Sequence, residues 1–186
     1  ALCPVGGVPL VDLAIDRVTG LVGAVAVNVH HHRAALEAHL RDRPEIAVSV
    51  EEPEALGTAG AIAHLRPWVN GRGIVIVNAD GWTPAPIDAL IEGWDGATVR
   101  VLVARDDALR DDSMVVASVL PWSVVARLEA IPSGLFEVVW RDARAAGALD
   151  VVRFDDPFVD CGTPADYLAA NLAAVAIAGG SITGSD

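Results

Sequence analysis

Lysine is absent from the 186-residue sequence, so arginine and histidine are its only basic side chains. Lysine and arginine together number 13 against 25 acidic residues, which gives a formal net charge of −12 at pH 7. Nucleic-acid binding needs clustered basic side chains against phosphates, and this charge balance argues against it. A polyphosphate substrate would need its charge compensated by a metal ion, by arginine, or by backbone amides at a helix N-terminus.

Cysteine and long apolar runs are scarce as well. Cys3 and Cys161 stand far apart and match no metal-binding or redox spacing, which is typical of two reduced thiols in a cytoplasmic protein. No apolar run reaches the roughly 20 residues that span a bilayer, and no segment has the pattern of a secretion signal. We therefore expect a cytoplasmic protein with no membrane partner. The abundance of alanine, valine and arginine without lysine is typical of a GC-rich bacterial genome.

Apolar residues are plentiful: they make up 53% of the sequence, enough for one hydrophobic core. Short apolar runs alternate with amphipathic segments, which predicts an α/β fold with a mostly parallel mixed sheet covered on both faces. Strands are predicted at 21–29, 46–50, 73–78, 98–104, 114–120 and 149–154, helices at 32–40, 58–65, 87–94, 122–128 and 164–177, and a helical or turn segment at 135–145. We expect one domain over 1–178 and a linker or tail over 179–186.

In open α/β sheets, ligands bind beyond the carboxyl ends of the strands. The residues that follow each predicted strand are therefore the candidates for chemistry. They fall at 28–32, 51–58, 78–82 and 155–163.

Asp80 gives the strongest local signal, in the segment Val-Asn-Ala-Asp-Gly-Trp over 77–82. An acidic residue that leaves a buried strand lies at the mouth of the sheet, where a metal ion and phosphates can be held. The alternative is an aspartate that caps the next turn, which Thr83 and Pro84 would also suit. Spacing alone leaves both interpretations open.

Asp160 gives the second signal, in the segment Phe-Val-Asp-Cys-Gly-Thr-Pro over 158–164. Thr163 and Pro164 have the pattern of a helix N-cap with proline at the first helical position, but that pattern leaves Asp160 unexplained. Mg²⁺ in proteins is held by one or two carboxylates together with phosphate oxygens. Two aspartates at separate strand ends therefore indicate a Mg²⁺ site.

The segment Leu-Gly-Thr-Ala-Gly over 56–60 opens a predicted helix with small residues, which allow a flat ring or a phosphate to approach the backbone closely. Ordinary turn chemistry would give the same pattern. The run His30 to His32 suggests a metal site, but consecutive side chains on a strand point in alternating directions and rarely converge on one ion. We favour a solvated turn between a strand and a helix there.

Taken together and in this order, the motifs resemble those of the nucleotidyltransferases that activate sugar 1-phosphates. The sequence is most similar to mannose-1-phosphate guanylyltransferases and N-acetylmuramate-1-phosphate uridylyltransferases. The similarity runs nearly end to end: besides the three motifs it includes 1–10, 27–31 and the helix that bears Tyr167, Leu168 and Asn171. It implies a three-layer, Rossmann-like nucleotidyltransferase fold.

The resemblance also implies a reaction, in which an NTP and a sugar 1-phosphate give an NDP-sugar and pyrophosphate. The sugar phosphate attacks the α-phosphate in line, assisted by Mg²⁺. By this resemblance the catalytic metal ligands are Asp80 and Asp160. The nucleotide-binding residues are Glu52, Gly57 and Thr58, and the residues flanking the sugar phosphate are Asn78 and Trp82.

Glu52 bears on the choice of base, because relatives that use uridine or thymidine nucleotides often carry glutamine near this position. A carboxylate only accepts hydrogen bonds, and guanine offers two adjacent donors. If Glu52 faces the base, guanine is favoured. The expected partners are thus GTP or UTP and a sugar 1-phosphate, with a homo-oligomer possible.

The family's Gly-rich phosphate loop, which carries an arginine and ends in Pro-Lys, has no counterpart in the 186 residues. We expect the sequence to begin after the strand and loop that would carry it. The alternatives are a catalytically inactive paralogue that binds an NDP-sugar and a metal-dependent glycosyltransferase. A dinucleotide-binding enzyme is disfavoured because no G-x-G-x-x-G follows a strand.

Overall fold

The computed structural model describes residues 1–104 and 114–179. The strands are β1 (Pro4–Val5), β2 (Val8–Pro9), β3 (Val25–Val29), β4 (Ile46–Val50), β5 (Ile74–Val77), β6 (Gly81–Trp82), β7 (Val99–Ala104), β8 (Val115–Leu120), β9 (Leu149–Phe154) and β10 (Val159–Asp160). The helices are α1 (Leu10–Val18), α2 (Arg33–Leu40), α3 (Gly57–His64), α4 (Arg66–Val69), α5 (Trp122–Val125), α6 (Arg141–Ala145) and α7 (Pro164–Ile177). A 3₁₀ turn spans Asp88–Leu90 and a π-helical turn spans Phe136–Trp140.

The main sheet has four strands in the order β5, β8, β7, β9. β8 runs antiparallel to both of its neighbours, whereas β9 runs parallel to β7. β3 and β4 form a separate parallel pair, and β1 with β2 and β6 with β10 form short antiparallel pairs. The predicted α/β fold with a mixed sheet is confirmed. The longer described strands form four pairs, of which two are parallel and two are antiparallel. Parallel pairing is therefore less dominant than predicted.

The sheet is packed on both faces because successive side chains of a strand point to opposite sides. On β7, Val101 and Val103 are fully buried against the π-helical turn. Leu102 and Ala104 face the other way and pack in the cluster that contains the 3₁₀ turn and the end of α1. Helices α3, α4 and α5 cover the first face in a third cluster. This arrangement gives the three layers of the fold.

Helix α1 is an element that the sequence-based prediction lacked. Its buried residues recur at helical spacing directly after Pro9, namely Leu10, Val11, Ala14, Ile15 and Val18. α1 packs against α2, β3 and β4 through a core of its own. The helical spacing was the signal that could have located it.

The helix predicted at 87–94 is wrong, because only the 3₁₀ turn forms there before Gly93 takes a left-handed conformation (φ +62°). The helix predicted at 122–128 ends at Val125. The carbonyls of Ala126 and Leu128 instead accept hydrogen bonds from Arg66 of α4. The segments 46–50, 149–154 and 164–177 have the predicted bounds.

Within residues 1–104 and 114–179, no helix has both the length and the apolarity to cross a membrane. Of the predicted tail, residues 180–186 lie outside the described part of the chain.

Candidate active site

The pairing of β6 with β10 brings Asp80 and Asp160 together. Asp80 directly precedes β6, and Asp160 lies opposite Gly81 in the antiparallel register. The backbone N–H of Cys161 donates to the backbone oxygen of Asp80 at 2.9 Å, which continues the pairing beyond the two strands. Two aspartates that are distant in sequence thus stand on neighbouring strands.

Both aspartates line one open cavity with a volume of about 410 Å³. Asn78, at the end of β5, and Thr58, in the first turn of α3, line the same cavity. Four of the residues predicted from the sequence therefore meet at one place. Residues 115–118 of β8 also line the cavity, including the buried Ser118.

Negative charge is concentrated around this cavity. Asp80, Glu137 and Asp160 line it, and none of the described lining residues is an arginine. Burial, reinforced by the nearby carboxylates of Asp160 and Asp80, raises the pKa of the Cys161 thiol. The thiol therefore stays protonated at neutral pH, and the carboxylates are the groups available to a cation.

The donor set fits a hard divalent cation. Within the described residues, no three or more His, Cys, Asp or Glu side chains converge as they would around a fully protein-coordinated ion. Asp80 and Asp160 would supply two carboxylates, which is the usual protein share of a Mg²⁺ site whose other ligands are water and phosphate oxygens. One oxygen of Asp160 already accepts the backbone N–H of Gly162 at 3.1 Å, which fixes the orientation of that carboxylate.

Trp82 occupies a different place from the predicted one. Its side chain is 5% exposed and packs in a core cluster with Val5, Leu10 and Ala170. It does not line the cavity beside Asp80. The reason is strand alternation: Trp82 follows Gly81 on β6 and points into the core beneath it.

The glycines of the Leu-Gly-Thr-Ala-Gly segment have a packing role. A β-carbon on Gly57 would lie 2.6 Å from the backbone oxygen of Ser133, and one on Gly60 would collide with the backbone oxygen of Ile131. Ser133 also exchanges backbone hydrogen bonds with this segment, to Leu56 at 2.9 Å and from Ala59 at 3.0 Å. Close approach of the chain near Ser133 therefore requires the glycines, independently of any ligand.

Glu52 and its neighbour Glu51 lie in opposite surroundings. The Glu52 side chain is 66% exposed and forms an ion pair with Arg33 of α2. Glu51 is 3% exposed, and its two carboxylate oxygens accept hydrogen bonds from the Asn28 side chain at 2.6 Å and from the backbone N–H of Leu56 at 2.7 Å. Glu51 was not among the predicted site residues. Asn28, a polar residue inside an apolar strand, was the signal that could have indicated its buried partner.

The cavity also contains residues that no motif indicated. Phe136, Glu137 and Trp140 reach it from the π-helical turn, and the indole N–H of Trp140 is buried without a hydrogen-bond partner. The sequence predicted only a helical or turn segment here. In a π-helical turn the backbone hydrogen bonds span five residues, so the side chains point in directions that α-helical spacing does not predict.

The histidine run lies at the turn between β3 and α2. His30 Nδ1 lies 2.9 Å from the backbone oxygen of Glu51, and because a carbonyl only accepts, this nitrogen carries a proton. The ring of His31 packs edge-on against that of His30, with the centroids 4.7 Å apart. His32 takes a left-handed conformation (φ 53°) that starts α2.

Helix α7 connects the second aspartate motif to the start of the chain. Thr163 caps the helix by accepting the N–H of Asp166, as predicted. Tyr167 donates its hydroxyl proton to the backbone oxygen of Pro4, and Asn171 accepts the N–H of Gly6. Tyr167 and Asn171 therefore bind the β1–β2 hairpin, whereas Leu168 is exposed.

Asp80 and Asp160 lie on a short antiparallel strand pair, at a cavity that the end of β5 and the first turn of α3 also line. Paired carboxylates beside a helix N-terminus define a class of protein suited to metal-assisted chemistry on phosphates.

Comparison with known protein families identifies the family to which the chain belongs. The profile of the MobA-like NTP transferase domain matches residues 1–142, and the chain belongs to this family. Over 106 residues it is 36% identical to N-acetylmuramate alpha-1-phosphate uridylyltransferase of Caulobacter vibrioides. This match covers 51% of the chain and 44% of that relative, so the chain spans less than half the length of the curated relative.

Solved structures share the fold at low sequence identity. HddC from Yersinia pseudotuberculosis, solved in complex with GMP-PN, superposes with a TM-score of 0.71 at 14% identity, covering 92% of this chain and 88% of that one. A putative glucose-1-phosphate thymidylyltransferase from Bacillus anthracis gives 0.70 at 15% identity, covering 93% and 85%. UDP-glucose pyrophosphorylase from Acinetobacter baumanii gives 0.66 at 15% identity, covering 92% and 84%. The resemblance to sugar-1-phosphate nucleotidyltransferases and the predicted fold are confirmed.

Proposed function

We propose that the protein transfers a nucleotidyl group from an NTP to a sugar 1-phosphate and releases pyrophosphate. The observation that carries the proposal is the Asp80–Asp160 pair on neighbouring strands, at a cavity that the first turn of α3 also lines. Family membership and the activity named for the uridylyltransferase relative support it.

In the proposed reaction, a phosphate oxygen of the sugar 1-phosphate attacks the α-phosphorus of the NTP. The bond from the α-phosphorus to the oxygen that bridges the α- and β-phosphates breaks, and pyrophosphate leaves with that oxygen and the electron pair. The chain contributes mainly by positioning the reactants and compensating charge. Asp80 and Asp160 would hold Mg²⁺, which when bound neutralises charge on the reacting phosphates.

The remaining predicted residues have positioning roles in this proposal. Thr58 lies where the first turn of α3 meets the cavity, so it and Gly57 would contact the nucleotide. Asn78 lines the cavity beside Asp80 and would contact the sugar phosphate. Glu137 and Trp140 border the same space and are candidates for the sugar side.

The base stays open between guanine and uracil, and we propose GTP or UTP as the nucleotide. The guanine preference rested on Glu52 facing the base, whereas its carboxylate is engaged with Arg33. Calorimetric titration with GTP and with UTP decides between the two.

We also propose that a further strand, with a phosphate-binding loop that carries arginine, completes the site. Among the described strands, β3 pairs only with β4 and β5 pairs only with β8, so each has one unpaired edge. Val25 of β3 packs in the same cluster as Val75 and Val77 of β5, which indicates that the two edges lie near each other. A loop with positive charge there would offset the carboxylates of the cavity.

The reaction is tested with the full-length protein, Mg²⁺, each NTP and a panel of sugar 1-phosphates, by measuring pyrophosphate release. Release that depends on one sugar 1-phosphate supports the proposal. Asp80→Asn and Asp160→Asn should each nearly abolish release, because each removes one carboxylate from the metal site. Asp42→Asn, an exposed aspartate after α2, is the matched control and should retain full activity.

Two outcomes would overturn the proposal. No pyrophosphate release with any pair, combined with tight NDP-sugar binding, would favour an inactive binding paralogue. Transfer of sugar from an NDP-sugar to an acceptor would favour a glycosyltransferase. The cytoplasmic location and the homo-oligomer stay predictions.

A further inference from the structure

Glu51 is a buried carboxylate whose hydrogen bonds join two separate parts of the fold. Its Oε1 accepts from Asn28 Nδ2 of β3 at 2.6 Å, and its Oε2 accepts from the backbone N–H of Leu56 at 2.7 Å. Its own backbone N–H donates to Val29 at 2.9 Å, and its carbonyl accepts from His30. Every polar group of Glu51 is therefore engaged.

Both donors to the Glu51 carboxylate are neutral groups. A carboxylate that is 3% exposed loses its hydration, and this loss is tolerable only if hydrogen bonds replace the water. Two short hydrogen bonds, one to each carboxylate oxygen, replace the water here. Hydrogen bonds to an ionised acceptor are stronger than those between neutral groups. The position of the charge near the first turn of α3 adds a favourable interaction with the helix dipole.

Leu56 is held from two sides. Its N–H is bound by Glu51, and its carbonyl oxygen accepts the N–H of Ser133 at 2.9 Å. Gly57 follows at φ +65° and Thr58 lines the cavity with Asp80. A shift of Leu56 therefore moves the first turn of α3 relative to the aspartates.

We propose that Glu51 is a positioning residue that, with Asn28 as its partner, fixes the nucleotide-binding turn Leu56–Thr58. This inference rests on the proposed function, because it assumes that the turn contacts the nucleotide. Glu51 acts through the backbone of Leu56 and is too buried to touch a base itself. Because Asn28 carries an amide and Glu51 a carboxylate, the pair can be tested by exchanging these two groups between the two positions.

The exchange uses three variants of the full-length protein. Asn28→Asp places two carboxylates side by side and removes the donor to Glu51. Glu51→Gln keeps both contacts, because its amide can donate to a reoriented Asn28 while its oxygen still accepts from Leu56. The double variant Asn28→Asp with Glu51→Gln restores one carboxylate and one amide in exchanged positions.

Binding of GTP and UTP in the presence of Mg²⁺ is measured by calorimetry, and the KM values of both substrates are measured separately. Asn28→Asp should weaken nucleotide binding by roughly tenfold, the loss expected when the displaced turn gives up about one hydrogen bond to the nucleotide. The KM for the sugar 1-phosphate should stay unchanged. Glu51→Gln and the double variant should bind nucleotide close to the wild-type level. Glu54→Gln, an exposed glutamate of the same loop, is the control and should be unaffected.

The outcomes separate this inference from the proposed function. If the wild-type protein binds neither nucleotide, the proposed function fails. If it binds nucleotide and Asn28→Asp binds it equally well, or if the double variant does not recover, the inference is overturned. A fall in melting temperature with unchanged nucleotide affinity would show a purely structural role and would also overturn it.

Discussion

Replacing Gly60 by alanine tests whether the Leu-Gly-Thr-Ala-Gly segment is shaped by protein packing. The new β-carbon would lie 2.9 Å from the Leu56 β-carbon and 3.0 Å from the carbonyl carbon of Ile131, and it would be closer still to the oxygen of Ile131. Comfortable carbon contacts are about 3.5–4.0 Å. The approach to the Ile131 oxygen is the shortest, at 2.3 Å, so either α3 or the chain at Ile131 must move by roughly 1 Å.

The net effect combines opposing contributions. Alanine in place of glycine within a helix would stabilise by about 1 kcal/mol. Overpacking costs about 1–3 kcal/mol, and weakening the two backbone hydrogen bonds of Ser133 adds about 1 kcal/mol each. We expect a net destabilisation of roughly 2–4 kcal/mol, and each kcal/mol corresponds to about 2–4 °C of melting temperature in a chain of this size.

Thermal unfolding followed by circular dichroism measures the effect. Gly23→Ala is the matched control, because a β-carbon there meets no atom within 4 Å and the backbone is not left-handed. A melting temperature for Gly60→Ala equal to that of Gly23→Ala would refute the packing argument. If nucleotide affinity fell while stability stayed constant, Gly60 would instead be kept for the ligand.

Two further predictions concern parts of the fold away from the cavity. Arg100→Met should lower the free energy of unfolding by about 2–3 kcal/mol. The Arg100 side chain is only 13% exposed, and it binds Asp150 and two backbone carbonyls near the 3₁₀ turn. A urea unfolding curve equal to that of the wild type would contradict this prediction. Hydrogen bonds from the backbone N–H groups of Thr98 and Ala97 and from the Thr98 hydroxyl lower the pKa of Asp95 from 3.8 to about 2. Because the folded-state pKa is depressed, this contribution to stability is present above pH 3.8 and is lost as the pH falls toward about 2. The stability difference between wild type and Asp95→Asn should therefore shrink over that range, and a difference that does not change with pH would contradict the assignment.

The sequence predicted the α/β alternation because apolar periodicity is a local property. The strands at 46–50 and 149–154 and the helix at 164–177 were identified from a few neighbouring residues each. The strand-end rule also selected Asp80 and Asp160, since carboxyl ends of strands are recognisable wherever an apolar run stops. These features need no knowledge of distant contacts.

The sequence could not predict what depends on tertiary packing. Trp82 resembled a site residue by its place in a motif, but a two-residue strand turns it into the core. Glu51 and Glu52 are adjacent and chemically identical, and only the pairing of β3 with β4 decides which one is buried. The π-helical turn that brings Glu137 and Trp140 to the cavity has no local signature.

Measuring metal binding tests directly whether Asp80 and Asp160 form the metal site. Electron paramagnetic resonance of Mn²⁺, as a substitute for Mg²⁺, measures its binding to the full-length protein in the presence of a non-hydrolysable NTP. We expect Mn²⁺ to bind to the wild type and to Asp42→Asn. Asp80→Asn and Asp160→Asn should each lose at least roughly tenfold in Mn²⁺ affinity, because each removes one of the two charged ligands. Mn²⁺ affinities of these two variants equal to that of the wild type would contradict the assignment of the pair as the metal site.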